Sequence, residues 1–110
     1  MLYILLLYGE EGERERPARF RSSDELHARG TLVASEELQP VATATTVQVR
    51  DGDTVVRDGP FAETEETLGG YCLIEADSLD EAIEWASAIP SARSGTIEIR
   101  PIVDNSEYRE

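Results

Sequence analysis

Two carboxylates five residues apart are the side chains best suited, by type and spacing, to do chemistry in this chain. Asp58 ends a short β-branched run and precedes a Gly-Pro pair, and Glu63 follows across the same polar loop. A carboxylate partly withdrawn from water can act as a general base or acid, and paired carboxylates can share a proton. We therefore predict Asp58 and Glu63 as candidate catalytic residues. The structural alternatives are an Asx-type cap at Asp58 and a rim acid at Glu63.

Three further residues are candidates for binding a ligand. Glu36 follows the second predicted strand, and with Asp58 and Glu63 it would form an acidic pocket for a cation or a cationic ligand. Their spacing matches no known metal loop, so neither a metal nor a cofactor is predicted. Arg50 and Arg57 flank a predicted hairpin, and one of them can balance Asp58 through a charge-assisted hydrogen bond. Structural pairing is the alternative to ligand binding at Arg50. Tyr71 lies on an apolar strand and can present its hydroxyl to a cleft, with core packing as its alternative.

Other reactive residue types give no recognisable catalytic set. The single histidine, His27, is interpreted as an exposed residue near a helix end, and the single cysteine, Cys72, as a buried core thiol. Phe61 is expected to anchor its loop in the core. No glycine belongs to a phosphate-binding loop, because neither GxGxxG nor GK[ST] occurs.

Charge narrows the range of partners. The chain has 23 acidic residues against 10 basic ones, all arginine, for a net charge of -13. Nucleic acid and anionic membranes are disfavoured because both require clustered cations. The acidic excess has three interpretations: solubility together with a coding bias towards arginine, adaptation to a salty cytoplasm, or a basic partner.

Length and cysteine content point to one small cytoplasmic domain. A chain of 110 residues is a single domain, residues 1–110. One cysteine permits no internal disulfide, which suits a reducing cytoplasm. The apolar start, Leu2 to Leu7, is too short to span a membrane and lacks the basic flank of a signal peptide.

Hydrophobic periodicity predicts the elements that would hold these residues. Strands are predicted over residues 1–8, 31–35, 43–50, 54–57, 70–76 and 96–103. Asp51-Gly52 favours a tight hairpin turn, with Val47 and Val49 on one side of its first strand. The Gly69-Gly70 pair is expected to open the most apolar strand of the second half.

Two helices complete the pattern. Ser22 begins a short helix that ends at Gly30. Ser78 begins the second, where Glu81 completes a capping box and Pro90 ends the run. Trp85 lies at the margin of its apolar stripe. That stripe is predicted from helical spacing at Leu79, Ala82, Ile83, Ala86 and Ile89.

The order of elements predicts an α+β fold. Strand, helix, strand, hairpin, strand, helix, strand with right-handed crossovers gives a ferredoxin-like split βαβ arrangement with an antiparallel sheet. Both helices then cover one face of the sheet. Because the other face is apolar and has no helix, we expect a second copy to cover it in a symmetric homodimer, a dimeric α+β barrel.

A resemblance to a known family supports this expectation. The segments LQP at 38–40, VRDG at 49–52, DGPFAET at 58–64 and LGGY at 68–71 resemble the DGPF-motif branch of YCII-related proteins. The start at residues 2–10 and the run EIRP at 98–101 are similar too, so the resemblance covers nearly the whole chain. It departs from the branch in a shorter segment between Gly9 and Gly30.

The resemblance implies a dimeric α+β barrel. Relatives in the superfamily include small enzymes that act on aromatic rings, and members of the branch are often encoded beside extracytoplasmic-function sigma factors. Some relatives pair a histidine near the start of the first helix with an aspartate. His27 lies near the end of the short helix, so that role is not carried over. The resemblance thus favours a ligand-binding or regulatory dimer, with an enzyme that uses Asp58 as the alternative.

Overall fold

The structure is a computed structural model that describes residues 1–10 and 31–104. The helix predicted from Ser22 to Gly30, with His27, and the tail at 105–110 lie outside the described residues. The described elements, numbered along the chain, are β1 (Leu2–Gly9), β2 (Leu32–Glu37), β3 (Thr45–Arg50), β4 (Asp53–Asp58), β5 (Thr67–Glu75), α1 (Leu79–Ala88), α2 (Ser91–Ser94) and β6 (Thr96–Pro101), with a 3-10 turn at Val41–Thr43.

Four strands form one antiparallel sheet in the order β2-β5-β1-β6. β5 lies between β1 and β2, and β1 lies between β5 and β6. Adjacent strands are antiparallel throughout, so β1 and β2, which run in the same direction, are separated by β5. This is the strand order of a ferredoxin-like fold. The predicted α+β class with an antiparallel sheet is confirmed.

The core lies between this sheet and α1. Alternate residues of β1 face α1, and Leu5 at its centre is 0% exposed, as is Ile74 on β5. Ala82 and Ala86 of α1 belong to the same buried cluster, with Trp85 packed at its margin as predicted. Small alanines let the helix approach the sheet closely. The chain therefore has a two-layer core of sheet and helix.

Cys72 is a buried core residue, as predicted. Its sulfur lies 3.6 Å from the hydroxyl oxygen of Ser35 on the neighbouring strand β2. The thiol faces α1 and not the other side of the sheet, because it pairs with Leu5 across β1 and β5.

α1 begins where the capping signal predicts. The Ser78 hydroxyl accepts a hydrogen bond from the Glu81 backbone N–H at 3.2 Å, and the Glu81 carboxylate accepts one from the Asp77 N–H at 2.9 Å. The predicted apolar stripe is too wide, because Leu79 and Ile83 are exposed. Only the narrow alanine side of this ten-residue helix meets the sheet, so the residues at the edges of the stripe stay outside the core.

β3 and β4 form a separate two-stranded ribbon, which we call the arm (residues 45–58). Asp51 and Gly52 have φ angles of 53° and 83°, the positive pair that a type I′ turn requires. The predicted turn is thus confirmed. Val47 and Val49 do share one side of β3, but that side is exposed and the side with Thr46 is half-buried.

Three strands are longer than the sequence predicts, β4 by one residue at each end. β2 continues to Glu37, so Glu36 lies within the strand and does not follow it. β5 starts at Thr67, so Gly69 and Gly70 lie inside it and are buried. Pairing with the neighbouring strands extends both ends, and local propensity carries no signal of that pairing.

Among the described residues, no helix is long and apolar enough to cross a membrane.

Candidate functional site

The side of the four-stranded sheet that faces away from α1 has no described element packed over it. We call it the open face. Strand alternation and register place on it one row of side chains from each strand. Its members are Leu2, Ile4, Leu6, Tyr8, Ala34, Glu36, Leu68, Tyr71, Leu73, Glu75, Glu98 and Arg100.

One row of the open face carries both ligand-binding candidates from the sheet. Tyr71 pairs with Leu6 on one side and with Glu36 on the other, and Leu6 pairs with Glu98. The four side chains therefore form a line across all four strands. Strands are about 4.8 Å apart, so the line is roughly 14 Å long, with a carboxylate at each end and an apolar centre.

Glu36 and Tyr71 are direct cross-strand neighbours. Residues in such positions have Cβ atoms about 4.5–5.5 Å apart. Tyr71 is half-buried and Glu36 is exposed, and within the described part of the chain neither side chain has a hydrogen-bond partner. The carboxylate accepts hydrogen bonds, and the phenol can donate or accept. Together they form a polar pair beside an apolar floor that includes Leu73.

The far end of the line carries an ion pair. The Arg100 Nε donates to the Glu98 carboxylate at 3.0 Å, and both residues lie on the edge strand β6. The sequence analysis did not select these residues. The signal was present, however: the apolar residues Ile97 and Ile99 alternate with Glu98 and Arg100 along β6, which predicts that the charged pair lies on the side opposite the core.

Asp58 lies at the base of the arm and is exposed. It ends β4 opposite Thr45, and Gly59 follows with φ 96°. The loop start is held by other groups: the Gly59 N–H donates to the Ala44 carbonyl, and the Thr46 hydroxyl donates to the Gly59 carbonyl, both at 2.8 Å. Because Asp58 is exposed, the described residues do not withdraw its carboxylate from water in the way that would favour acid–base chemistry.

The loop between the arm and β5, residues 59–66, carries Glu63 and Phe61, both exposed. Phe61 is 79% exposed, so the prediction that it anchors the loop in the core is wrong. Residues 61–65 of this loop are all exposed, so the loop runs over the surface and not through the layer between the sheet and α1. Its far end is held instead, because the Thr96 hydroxyl donates to the Glu66 carboxylate at 2.8 Å.

Arg50 lies at the opposite end of the arm from Asp58. It pairs with Asp53 beside the turn, whereas Asp58 pairs with Thr45 at the base. The five steps of about 3.4 Å along this six-residue strand separate the two ends by roughly 17 Å. Of the two arginines considered for Asp58, Arg50 is therefore too far away to balance it. The guanidinium of Arg50 donates to the Val49 carbonyl at 2.9 Å instead.

The acidic pocket considered for a cation does not form. Over residues 1–10 and 31–104, no three His, Cys, Asp or Glu side chains gather closely enough to hold a metal ion. Glu36 lies on the open face, whereas Asp58 and Glu63 lie at the arm base and in the following loop. Of the five predicted site residues, the structure brings together Glu36 and Tyr71.

Comparison with known proteins connects this arrangement to a family and a fold. The family model described as YCII-related domain matches residues 1–106. An uncharacterized protein of Rhizobium meliloti (strain 1021) is 38% identical over 114 residues, which cover 93% of this chain and 92% of that protein.

One solved structure shares the fold. It is the 5-chloro-2-hydroxyhydroquinone dehydrochlorinase of Burkholderia phenoliruptrix AC1100, in complex with 2,5-dihydroxybenzoquinone. The alignment has a TM-score of 0.58 and covers 97% of this chain and 98% of that one, at 13% sequence identity. At that identity the likeness shows a shared fold.

Proposed function

Because this chain belongs to the YCII-related family, we propose that it is a homodimer that binds a small, partly apolar molecule on the open face. The observation that carries the proposal is the pairing of Glu36 with Tyr71 across β2 and β5. Two polar side chains that have no hydrogen-bond partner among the described residues lie there beside an apolar floor. Such a combination of an apolar surface and a few convergent polar groups is typical of ligand sites.

The dimer supplies the second wall of the site. Leu2, Ile4, Leu6 and Leu73 leave an apolar surface that α1 and α2 do not cover. A second sheet packed about 10 Å away would cover it and enclose the Glu36–Tyr71 pair. An isologous contact places two such sites in each dimer. Each site would exclude water from the ligand on both sides.

The chemistry of the pair indicates a class of ligand. A carboxylate and a phenol recognise groups that donate hydrogen bonds, and Leu6 with Leu73 favours a flat apolar body. A neutral hydroxylated aromatic ring meets both requirements. The shared fold of an enzyme whose bound molecule is a dihydroxybenzoquinone is compatible with this class.

Hydroquinone is a suitable probe for the site. We expect it to shift the NMR signals of residues on β2 and β5, and we expect Glu36→Gln and Tyr71→Phe each to weaken binding about 5- to 20-fold, since the first removes the charge that strengthens a hydrogen bond and the second removes the phenolic hydroxyl, each worth about 1–1.7 kcal/mol. Glu37→Gln is the matched control, because residue 37 pairs with Gly70 on the side that faces α1. Equal binding by all four proteins would exclude this site.

We also propose a regulatory role, in which the dimer binds a protein partner. The DGPFAET segment at residues 58–64 places the chain, by our inference, in the DGPF-motif branch. That assignment suggests an extracytoplasmic-function sigma factor as partner in the cytoplasm. Co-sedimentation with a purified extracytoplasmic-function sigma factor from the same organism tests it, and failure to co-sediment at micromolar concentration counts against it.

A second candidate function is an enzyme in which Asp58 moves a proton on an aromatic or carbonyl substrate, with Glu63 of the following loop orienting that substrate. The observation that favours it is that a protein of the same fold is a dehydrochlorinase. Because Asp58 is exposed in a single chain, this function requires a partner surface to withdraw it from water. Asp58→Asn should abolish any turnover found, with Asp53→Asn as the control on the same strand. Unchanged turnover would assign Asp58 a structural role.

A further inference from the structure

The arm turns its apolar side away from its own chain. Val47 pairs with Val56 across the ribbon, and Val49 lies two residues further along on the same side. These valines are 58%, 60% and 59% exposed, in that order. On the opposite side of the ribbon, Thr46 and Gln48 in the middle of β3 are half-buried. A cluster of exposed valines on the outer side of a ribbon is typical of a surface that contacts another molecule.

We propose that this valine side packs on a second copy of the chain, next to the sheet-to-sheet contact of the dimer proposed above, on which this inference rests. An isolated two-stranded ribbon is at best marginally stable in water. The arm is a sheet of its own, and the described elements of the four-stranded sheet give it little packing. The arm therefore needs cover whenever the chain is folded. A second copy meets that condition, because every folded chain has other copies of the same chain in the same solution.

Charge also favours a second copy as the occupant. The whole chain carries -13, so two copies repel each other through most of their surfaces. The arm is nearly neutral, with Arg50 and Arg57 against Asp51, Asp53 and Asp58. Its two arginines lie on the side opposite the valines. A contact made through the arm thus joins two acidic chains through a segment of low net charge.

Twofold symmetry doubles the contact. Each chain gives one arm and receives one, because an isologous interface uses the same surfaces on both copies. The arm leaves the sheet between the end of β2 and the start of β5, the end that carries Glu36. Its departure point therefore borders the candidate site. The arm contact adds to the dimer a region that the open face alone does not supply.

The double variant Val47→Thr/Val56→Thr tests the contact. Each change replaces a methyl group by a hydroxyl and keeps the β-branched shape that suits a strand. The dimer would then bury four hydroxyl groups without partners, so we expect its dissociation constant to rise at least about 100-fold. Sedimentation equilibrium measures that constant. Val55→Thr makes the same chemical change on the other side of the ribbon and should leave it within about threefold.

The arm contact and the sheet contact can fail separately. Ile4→Thr alters the open face and not the arm. If Ile4→Thr weakens the dimer and the double valine variant does not, the sheet-to-sheet dimer stands and the arm contact is overturned. If the unmodified chain is a monomer at high micromolar concentration, both are overturned. Weakening by both sets of changes supports both contacts.

Hydrogen exchange on the unmodified protein tests the arm without relying on a variant that folds. We expect amides of the arm to lose at least about tenfold protection when the protein is diluted below its dissociation constant, because the ribbon then loses its cover. Amides at the centre of β1 should keep theirs. Equal protection of the arm above and below that concentration would overturn the proposal.

Discussion

The layer between sheet and α1 and the valine side of the arm contain the same kinds of residue in opposite situations. Leu5 and Ile74 lie on strands whose residues alternate between two sides, and both are fully buried. Val47 and Val56 lie on strands of the same kind, but both are exposed. Both regions have good strand sequences and good cross-strand register. The difference is what lies against them: a helix covers the first, and nothing described in the same chain covers the second. The alternation of side chains thus shows which residues share one side of a strand, but it does not show which side is buried.

Truncation of the core should have the largest effect on stability. Leu5→Ala should lower the free energy of unfolding by about 2–5 kcal/mol, because it leaves a cavity in a fully buried position. Urea denaturation followed by circular dichroism measures the change. Val47→Ala is the counterpart in the arm and should cost under about 0.5 kcal/mol in dilute monomer. Similar losses in the two variants would show that the arm is packed within its own chain.

A close backbone contact should give the next largest effect. A Cβ atom on Gly95 would lie 2.1 Å from the carbonyl oxygen of Tyr8, whereas one on Gly9 would meet nothing within 4 Å. Gly95→Ala should therefore cost about 1–3 kcal/mol as backbone shifts to make room. Thermal denaturation compares it with Gly9→Ala. If the two variants melt together, α2 does not meet the end of β1 as described.

Loss of the helix cap should have a smaller effect in the same layer. Ser78→Ala removes the acceptor for the Glu81 N–H and should cost about 1 kcal/mol. Ser94→Ala, at the end of α2, serves as the control and should stay within about 0.5 kcal/mol. Chemical denaturation resolves the two. No difference between them would mean that α1 contributes little to the stability of the layer.

The turn of the arm should have the smallest effect on global stability. Gly52 has φ 83°, a region that alanine enters at a cost of about 1–2 kcal/mol. Because the arm can open locally, Gly52→Ala should speed amide exchange in the arm and change the global free energy of unfolding by under about 0.5 kcal/mol. Asp51→Asn keeps a residue that this turn accepts and should change neither. A global loss above 1 kcal/mol would show that arm and sheet unfold as one unit.

Much of the fold was predictable because its signals are local. The apolar run of β1, the alternation of β5 and the Ser78–Glu81 cap each specify an element within a few residues. The Asp51-Gly52 turn is of the same kind. Together these elements admit few right-handed topologies, and the ferredoxin-like order is among them.

The errors concern relations between distant residues. Arg50 and Asp58 are near in sequence, but the register of a six-residue hairpin places them at opposite ends. Phe61 and Leu79 are apolar, and their exposure follows from where the core lies and not from their own neighbours in sequence. The closeness of Glu36 and Tyr71 likewise depends on which strands pair. Pairing and burial are set by the whole sheet, so short segments do not reveal them.

The bulge at Gly69 determines which residues of β5 lie on each side of the sheet. The register of β1 and β5 shifts at this point, so that Leu68 pairs with Tyr8, whereas Gly70 pairs with Leu7. One extra residue in the strand thus transfers Leu68 from the side of α1 to the open face. The extra residue thus widens the apolar area of the open face by one leucine while the pairing of Leu7 with Gly70 on the side of α1 is kept. A deletion of Gly69 would therefore change the outer side of β5 at this end and leave its inner side between Gly70 and Ile74 in register.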